Sequence, residues 1–228
     1  MKHLACIMSG NRRWASQRGL MPSFGHQECI KSVQRAISFC IERSIRYLSL
    51  YTFSLENFRR PLDQQQFIFN LLVEQAKEQV HELKEKGVKV FFVGDRSRFP
   101  ASVVETCTYI EQETAAGDRL QVNLLFCYGS RQELVAGIKK MIADVKEGQL
   151  QEDAIDQELV ARYLWTDGIP DPDLLFRPDG DHRLSNFLLY QSAYTELYFS
   201  DCLWPEVDEQ QLQKAYDYFY RCQRNFGT

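Results

Sequence analysis

The feature that most constrains this chain is an alternation. Short apolar runs of strand length recur between longer stretches whose apolar residues fall at helical spacing. Residues 3–8, 46–53, 88–93, 120–128, 173–176 and 194–199 read as strands. Residues 25–43, 63–86, 100–116, 132–146, 155–164 and 209–224 read as helices. Ile30, Val33, Ile37, Phe39, Cys40 and Ile41 mark the inward side of the first helix. Gly87 is a stop for the second, and Pro100 opens the third. Strands interleaved with helices of this length predict an α/β fold with a central, mostly parallel sheet flanked by helices. The 228 residues read as a single domain spanning 1–228, long enough to bury one large core. In such sheets ligands bind beyond the carboxyl ends of the strands. That rule directs attention to residues 9–14, 54–60, 128–131, 177–186 and the neighbourhood of Glu196.

Charge and composition narrow the classes of function. A formal net charge of −4 argues against broad nucleic-acid binding, while leaving room for a local basic pocket. No stretch approaches the ~20 apolar residues of a membrane span. The start of the chain runs straight into a strand without the pattern of a secretory leader, so a cytoplasmic location is expected. Seven cysteines, none spaced C-x-x-C, point away from a disulfide framework or a zinc ribbon. The four histidines form no H-E-x-x-H pair.

Three of the five segments are rich in cations. Ser9-Gly10-Asn11-Arg12-Arg13-Trp14 is a small-residue turn leading into a helix, suited to a phosphate or to solvated arginines. Ser54-Leu55-Glu56-Asn57-Phe58-Arg59-Arg60-Pro61 reads as a loop mixing apolar, amide and cationic groups; it also fits a simple capped connector. Arg177 and Arg183 flank a Pro178-Asp179-Gly180 turn, with Ser185 at the expected cap of a further helix. Those arginines suit either a diphosphate, which guanidinium forks bind bidentately, or ion pairs with Asp179 and Asp181. Glu196 is a carboxylate inside an apolar run, either a strand residue with an ion-pair partner or a metal ligand.

Taken in order, these blocks resemble the cis-prenyltransferases, the family of undecaprenyl diphosphate synthase. The resemblance rests on His3-Leu4-Ala5-Cys6-Ile7-Met8-Ser9-Gly10-Asn11-Arg12-Arg13-Trp14, on Gly25-His26, and on Tyr51 through Pro61. It continues through Tyr128-Gly129-Ser130-Arg131 and the run from Asp173 to Phe199. It implies a homodimer with a hydrophobic tunnel for a growing isoprenoid chain. The substrates would be an allylic diphosphate and isopentenyl diphosphate, and the cofactor Mg²⁺. The product would be a long cis-polyprenyl diphosphate, the lipid carrier of cell-wall synthesis. That product implies peripheral contact with the inner face of the membrane. By the same resemblance, Gly10, Asn11, Arg12, Arg13 and His26 would hold the allylic diphosphate, and Arg177, Arg183 and Ser185 the isopentenyl diphosphate. Asn57 and Arg60 would serve the reacting groups. Trp14, Phe53, Ser54, Glu56 and Phe58 would complete the substrate pocket. Position 9, Asn57 and His26 would be catalytic, and position 9 with Glu196 would bind Mg²⁺.

The chain departs from the family pattern where it matters most. Ser9 occupies the position of the family's central metal-binding Asp, so reduced activity is expected; the change fits a natural departure or a substrate-trapping substitution. Pro22 replaces a common Arg, Phe58 a common Trp, and Pro178-Asp179-Gly180 a common Thr-Gly-Gly turn. A silent isoprenoid-binding or partner subunit of the same fold is the alternative reading.

Overall fold

A computed structural model describes residues 1–224. All five residues of β1 (His3–Ile7) are buried, as expected of a central strand covered on both faces. It lies between β2 (Tyr47–Ser54) and β5 (Leu174–Arg177), with Leu4 opposite both Leu48 and Leu174. β4 (Leu120–Tyr128) and β3 (Val88–Val93) extend one side, and β6 (Glu196–Phe199) the other. The order is β3-β4-β2-β1-β5-β6, and every pairing is parallel. The expected α/β fold is present, with a sheet that is wholly rather than mostly parallel.

Strand alternation divides the core into two. Leu4, Cys6, Leu48, Leu50 and Phe176 join the larger cluster, alongside residues of α2 (Pro22–Glu42), α4 (Ala101–Glu113) and α7 (Glu209–Arg221). The long α3 (Leu62–Glu85) lies on the same side, adding Phe69, Leu72 and Val73. Ala5, Ile7, Tyr51, Leu125 and Leu175 face the other way, toward Phe187, Leu188 and Trp165. The remaining helices are α1 (Asn11–Gln17), α5 (Ser130–Lys146) and α6 (Gln157–Tyr163).

Three local outcomes differ from the sequence reading. α2 starts at Pro22 rather than Gly25, with proline in the first turn, where its missing N–H costs nothing. No helix follows Ser185. Residues 184–195 form successive turns instead, with Ser185, Asn186 and Leu188 at φ 51, 65 and 44°. A β-bulge after Tyr51 shifts the register of β2, so that Leu50 and Phe53, three apart, enter the same core cluster.

Candidate active site

The carboxyl ends of β1, β2 and β5 open together on one cavity of about 1040 Å³. At its mouth, Gly10 adopts φ 102°, a conformation open to glycine at little strain. An added Cβ there would lie 2.9 Å from Leu203 Cδ2. The turn is fastened by the Trp204 N–H, which donates to the Ser9 carbonyl at 2.9 Å. α2 approaches α1 closely because position 25 has no side chain: a Cβ on Gly25 would meet the Asn11 carbonyl oxygen at 1.9 Å. This packing carries His26 into the same cavity wall as Ser9, Gly10, Asn11, Arg12 and Arg13. From β2 and the turn after it come Tyr51, Thr52, Ser54, Asn57 and Arg60; Arg177, Asp179, Asp181, Arg183 and Ser185 follow β5.

The electrostatics at this end of the cavity are cationic. Arg12, Arg13 and Arg60 make no ion pair with a carboxylate among the described residues. Burial, and then the charge of Arg12, pulls the Arg60 pKa below its ordinary value. His26 is lowered to about 4, first by burial and then by the charges of Arg60 and Arg12. Near neutral pH it is therefore an uncharged imidazole amid guanidiniums. A bound diphosphate would relieve this crowding. The buried Asn11 Oδ1 has no hydrogen-bond partner, while its amide reaches the Met8 carbonyl at 3.5 Å.

The second arginine cluster is organised differently. Arg177 is only 2% exposed. It donates to both carboxylate oxygens of Asp179 at 3.3 Å, to Asp181 at 3.1 Å, to Ser185 Oγ at 2.8 Å and to the Arg183 carbonyl. Arg183 pairs with Asp181 while remaining largely exposed. That pairing and the nearby Arg177 and Arg13 outweigh partial desolvation, so the Asp181 carboxyl lies below its usual range. The ion-pair reading of this loop is the one observed, and the loop also forms part of the cavity wall. Arg13 spans the two clusters, donating to the Asp179 carbonyl at 2.7 Å.

Several expected site residues lie elsewhere. Phe53 is core, packed on Phe58, Phe69 and Phe126, because the β2 bulge turns it inward. Phe58 packs on the same cluster, and neither ring lines the cavity. Trp14 lies outside the lining, under the Arg18 guanidinium at 4.5 Å. Glu56 accepts from Asn186 at 2.8 Å and so ties two loops together. Glu196 is level with Leu174, which pairs with Leu4, so it sits at the amino ends of the strands. β1 runs three residues beyond Leu4, about 10 Å, before the chain turns at Ser9, which is too far for one ion to bridge the two within a chain. The nearest described ion-pair partner of Glu196 is Arg224 Nε, at 3.8 Å. The strand-end rule misplaced this residue because the end of β6 that it occupies was the wrong one.

The donor set does not fit a protein-held Mg²⁺ of the kind carried by one or two carboxylates. Ser9 offers a neutral hydroxyl, and Asp179 and Asp181 are engaged by arginines. Among the described residues no group of three or more His, Cys, Asp or Glu side chains gathers as a metal site.

Away from its mouth the cavity turns apolar. Ile30, Val33 and Ile37 of α2 face Ile68, Leu71 and Leu72 of α3 over a floor of Phe92, Leu124 and Phe126. Val90 of β3 and Val122 of β4 complete the sheet side of the passage. Tyr51 and Thr52, three and two residues before the segment chosen from sequence, also line the site, and the strand-end rule applied three residues earlier would have found them.

The comparisons with known proteins agree with this arrangement. The family profile described as "Putative undecaprenyl diphosphate synthase" matches residues 7–227. An isoprenyl transferase of Clostridium perfringens is 42% identical over 99% of this chain and 89% of its own length. A ditrans,polycis-undecaprenyl-diphosphate synthase of Escherichia coli K12, named as specific for (2E,6E)-farnesyl diphosphate, is 39% identical over 99% of this chain and 89% of its own. Among solved structures, lavandulyl diphosphate synthase from Lavandula x intermedia, in complex with dimethylallyl diphosphate, superposes with a TM-score of 0.96 at 31% identity, covering 100% of this chain and 98% of that one. A probable undecaprenyl diphosphate synthase from Campylobacter jejuni gives 0.83 at 34% identity, covering 100% and 99%. Ordered motifs, parallel sheet, arginine-lined mouth and full-length similarity converge on one conclusion: the chain belongs to the cis-prenyltransferase family of the undecaprenyl diphosphate synthases.

Proposed function

We propose that this protein condenses isopentenyl diphosphate with an allylic diphosphate, farnesyl diphosphate or a close relative, to build a cis-polyprenyl diphosphate. One observation carries the reading: an arginine-rich mouth opens directly onto an apolar passage between α2, α3 and the sheet. The allylic diphosphate would lie against Gly10, Asn11, Arg12, Arg13 and His26. The isopentenyl diphosphate would lie against Arg183 and Ser185, with Arg177 holding that loop in shape. The C–O bond of the allylic diphosphate breaks and its electron pair leaves with diphosphate. The double bond of isopentenyl diphosphate attacks the carbon left electron-poor, forming a C–C bond. Loss of a proton then restores a double bond. Arg12, Arg13 and Arg60 stabilise the leaving charge, while the apolar walls keep water from the cationic carbon. Asn57 sits beside Arg60 in the wall, where its amide would orient the reacting groups. Mg²⁺ would arrive on the substrate's own diphosphate, and Ser9 would add only a neutral oxygen.

With Ser9 in place of a carboxylate, turnover should be slower by about two orders of magnitude, the scale of losing one electrostatic stabiliser. The test is incorporation of radiolabelled isopentenyl diphosphate by this chain and by Ser9→Asp. A large gain in the Asp form supports the reading, and no incorporation by either form refutes it. The second reading, a silent binding subunit, is favoured by Ser9 and by the engagement of Asp179 and Asp181. It predicts calorimetric binding of prenyl diphosphates without turnover in either form.

Two further features belong to this proposal. Val135, Ile138 and Ile142 form a half-exposed apolar stripe at helical spacing on α5, fit to pair with a second copy of the chain. Ile138→Lys should then lower the mass seen by sedimentation equilibrium; an unchanged mass removes the stripe from any dimer. Leu20, Met21, Phe24 and Leu62 are exposed beside the mouth residues Pro22 and Arg60, where an amphiphilic product would pass to a bilayer. Among the described residues no helix is long and apolar enough to cross a membrane. Cosedimentation with anionic vesicles, lost in Met21→Asp, would support peripheral contact; retention of binding would locate it elsewhere.

A further inference from the structure

The first turn of α5 has no cap of its own. Gly129 precedes it and has no side chain to offer, so the N–H groups of Ser130 and Arg131 need acceptors from elsewhere. Both acceptors belong to Asn186. Its backbone carbonyl accepts from the Ser130 N–H at 2.8 Å, and its Oδ1 accepts from the Arg131 N–H at 2.9 Å. Its Nδ2 donates to Gln132 Oε1 at 2.9 Å and to Glu56 Oε1 at 2.8 Å. These partners fix the amide's orientation, oxygen toward an N–H and nitrogen toward two acceptors. Gly129 makes room for the arrangement: a Cβ there would lie 2.7 Å from Asn186 Nδ2 and 2.4 Å from Gln132 Oε1.

Three strand-end segments therefore meet at one side chain: the turn after β2, the start of α5 after β4, and the loop after β5. Asn186 does not line the cavity, but its neighbours do. Ser185 precedes it, and Asn57 follows its partner Glu56. Ser185 and Asn186 stand at φ 51 and 65°, and a serine keeps such a conformation only while its surroundings enforce it. Besides the Asn186 bonds, those surroundings are the Tyr51 hydroxyl, which donates to the Ser185 carbonyl at 3.4 Å, and the Phe187 ring, stacked on Tyr51 at 4.6 Å. We propose that Asn186 is a positioning residue for isopentenyl diphosphate, acting through Ser185 and the Glu56–Asn57 turn to hold the two sides of that subsite at a fixed separation. The allylic side, built on Gly10, Arg12 and His26, is not fastened by it. The inference rests on the isopentenyl diphosphate reading of Arg183 and Ser185 and adds the residue that keeps their loop in place.

The test is calorimetric binding of isopentenyl diphosphate and of farnesyl diphosphate, each alone, with Tm measured alongside. Asn186→Gly keeps the positive φ and removes the side chain. Asn186→Asp keeps the bond from Arg131 but sets a carboxylate against that of Glu56. Both should weaken isopentenyl diphosphate about tenfold or more, the scale of one or two lost hydrogen bonds, and leave farnesyl diphosphate within about twofold. Asn186→Asp/Glu56→Gln turns the opposing carboxylate into a donor and should bring isopentenyl diphosphate back to within about threefold of the parent. Parallel loss of both ligands with a lowered Tm would show a structural role alone and overturns the proposal. So does an isopentenyl diphosphate affinity within about twofold of the parent in both single variants, or no recovery in the paired one. If the expected pattern is seen but no label is incorporated even with Ser9→Asp, the synthetic function fails while the positioning role stands. If label is incorporated and the pattern is absent, the positioning role fails alone.

Discussion

Replacing Arg177 by Met should damage stability and substrate binding together. Arg177 is almost wholly buried, and its guanidinium is fully engaged by Asp179, Asp181, Ser185 and the Arg183 carbonyl. Methionine would fill much of the volume but leave the buried Asp179 carboxylate with the Asp181 N–H, at 3.0 Å, as its remaining described donor. Breaking a buried pair by removing one partner costs about 3–5 kcal/mol, which for a chain of this size lowers Tm by roughly 6–20 °C. Asp179 also sits at φ 97°, a conformation that costs a non-glycine residue on the order of 1–3 kcal/mol and persists only while its surroundings enforce it. Once freed, the loop would release the Asp179 carbonyl from Arg13, so diphosphate affinity should fall as well. Urea denaturation followed by circular dichroism, with calorimetry of diphosphate binding, reads both effects. Arg177→Met/Asp179→Asn removes the orphaned charge, keeps the shape and tolerates positive φ; it should recover about half of the lost stability. A loss under about 1 kcal/mol in the single variant, or no relief in the double, would refute the claim that this pair holds the loop.

Two other outcomes follow from the buried histidines and from Ser9. His26 and His3 are both lowered to about 4 from 6.5, His3 by burial beside Ser49 and the Pro170 carbonyl. The unfolded chain therefore takes up protons first, so stability should hold above about pH 6.5 and fall progressively toward pH 4. His26→Gln should flatten that acid limb of the urea midpoint, and an unaltered limb would show that His26 titrates normally. Restoring a carboxylate with Ser9→Asp should also make diphosphate binding depend on Mg²⁺, read as a loss of affinity on adding EDTA that the parent chain shows far more weakly. Equal sensitivity in the two chains would mean that Ser9 does not limit the metal.

The fold was legible because strand and helix periodicities are local. β1 to β6 and α2 to α7 follow from runs of apolar residues whose spacing each short segment carries by itself. The cationic mouth was legible because its arginines follow strand ends, and parallel sheets collect strand ends on one side. Sequence alone also identified Ser9 as the departure, since side-chain chemistry at a motif position needs no coordinates. What depended on tertiary structure was direction. Phe53 and Thr52 belong to one motif, yet a bulge sends one into the core and leaves the other in the wall. Arg177 and Arg183 look equivalent in the chain, but burial makes the first a scaffold and exposure leaves the second available. Glu196 lies in a matching block but at the opposite ends of the strands from Ser9, because distance across a sheet depends on register, which the partner strand supplies. The meeting of Asn186 and Glu56, 130 positions apart, belongs to the same class: the packing of strand-end loops brings them together, and no periodicity within either segment encodes the encounter.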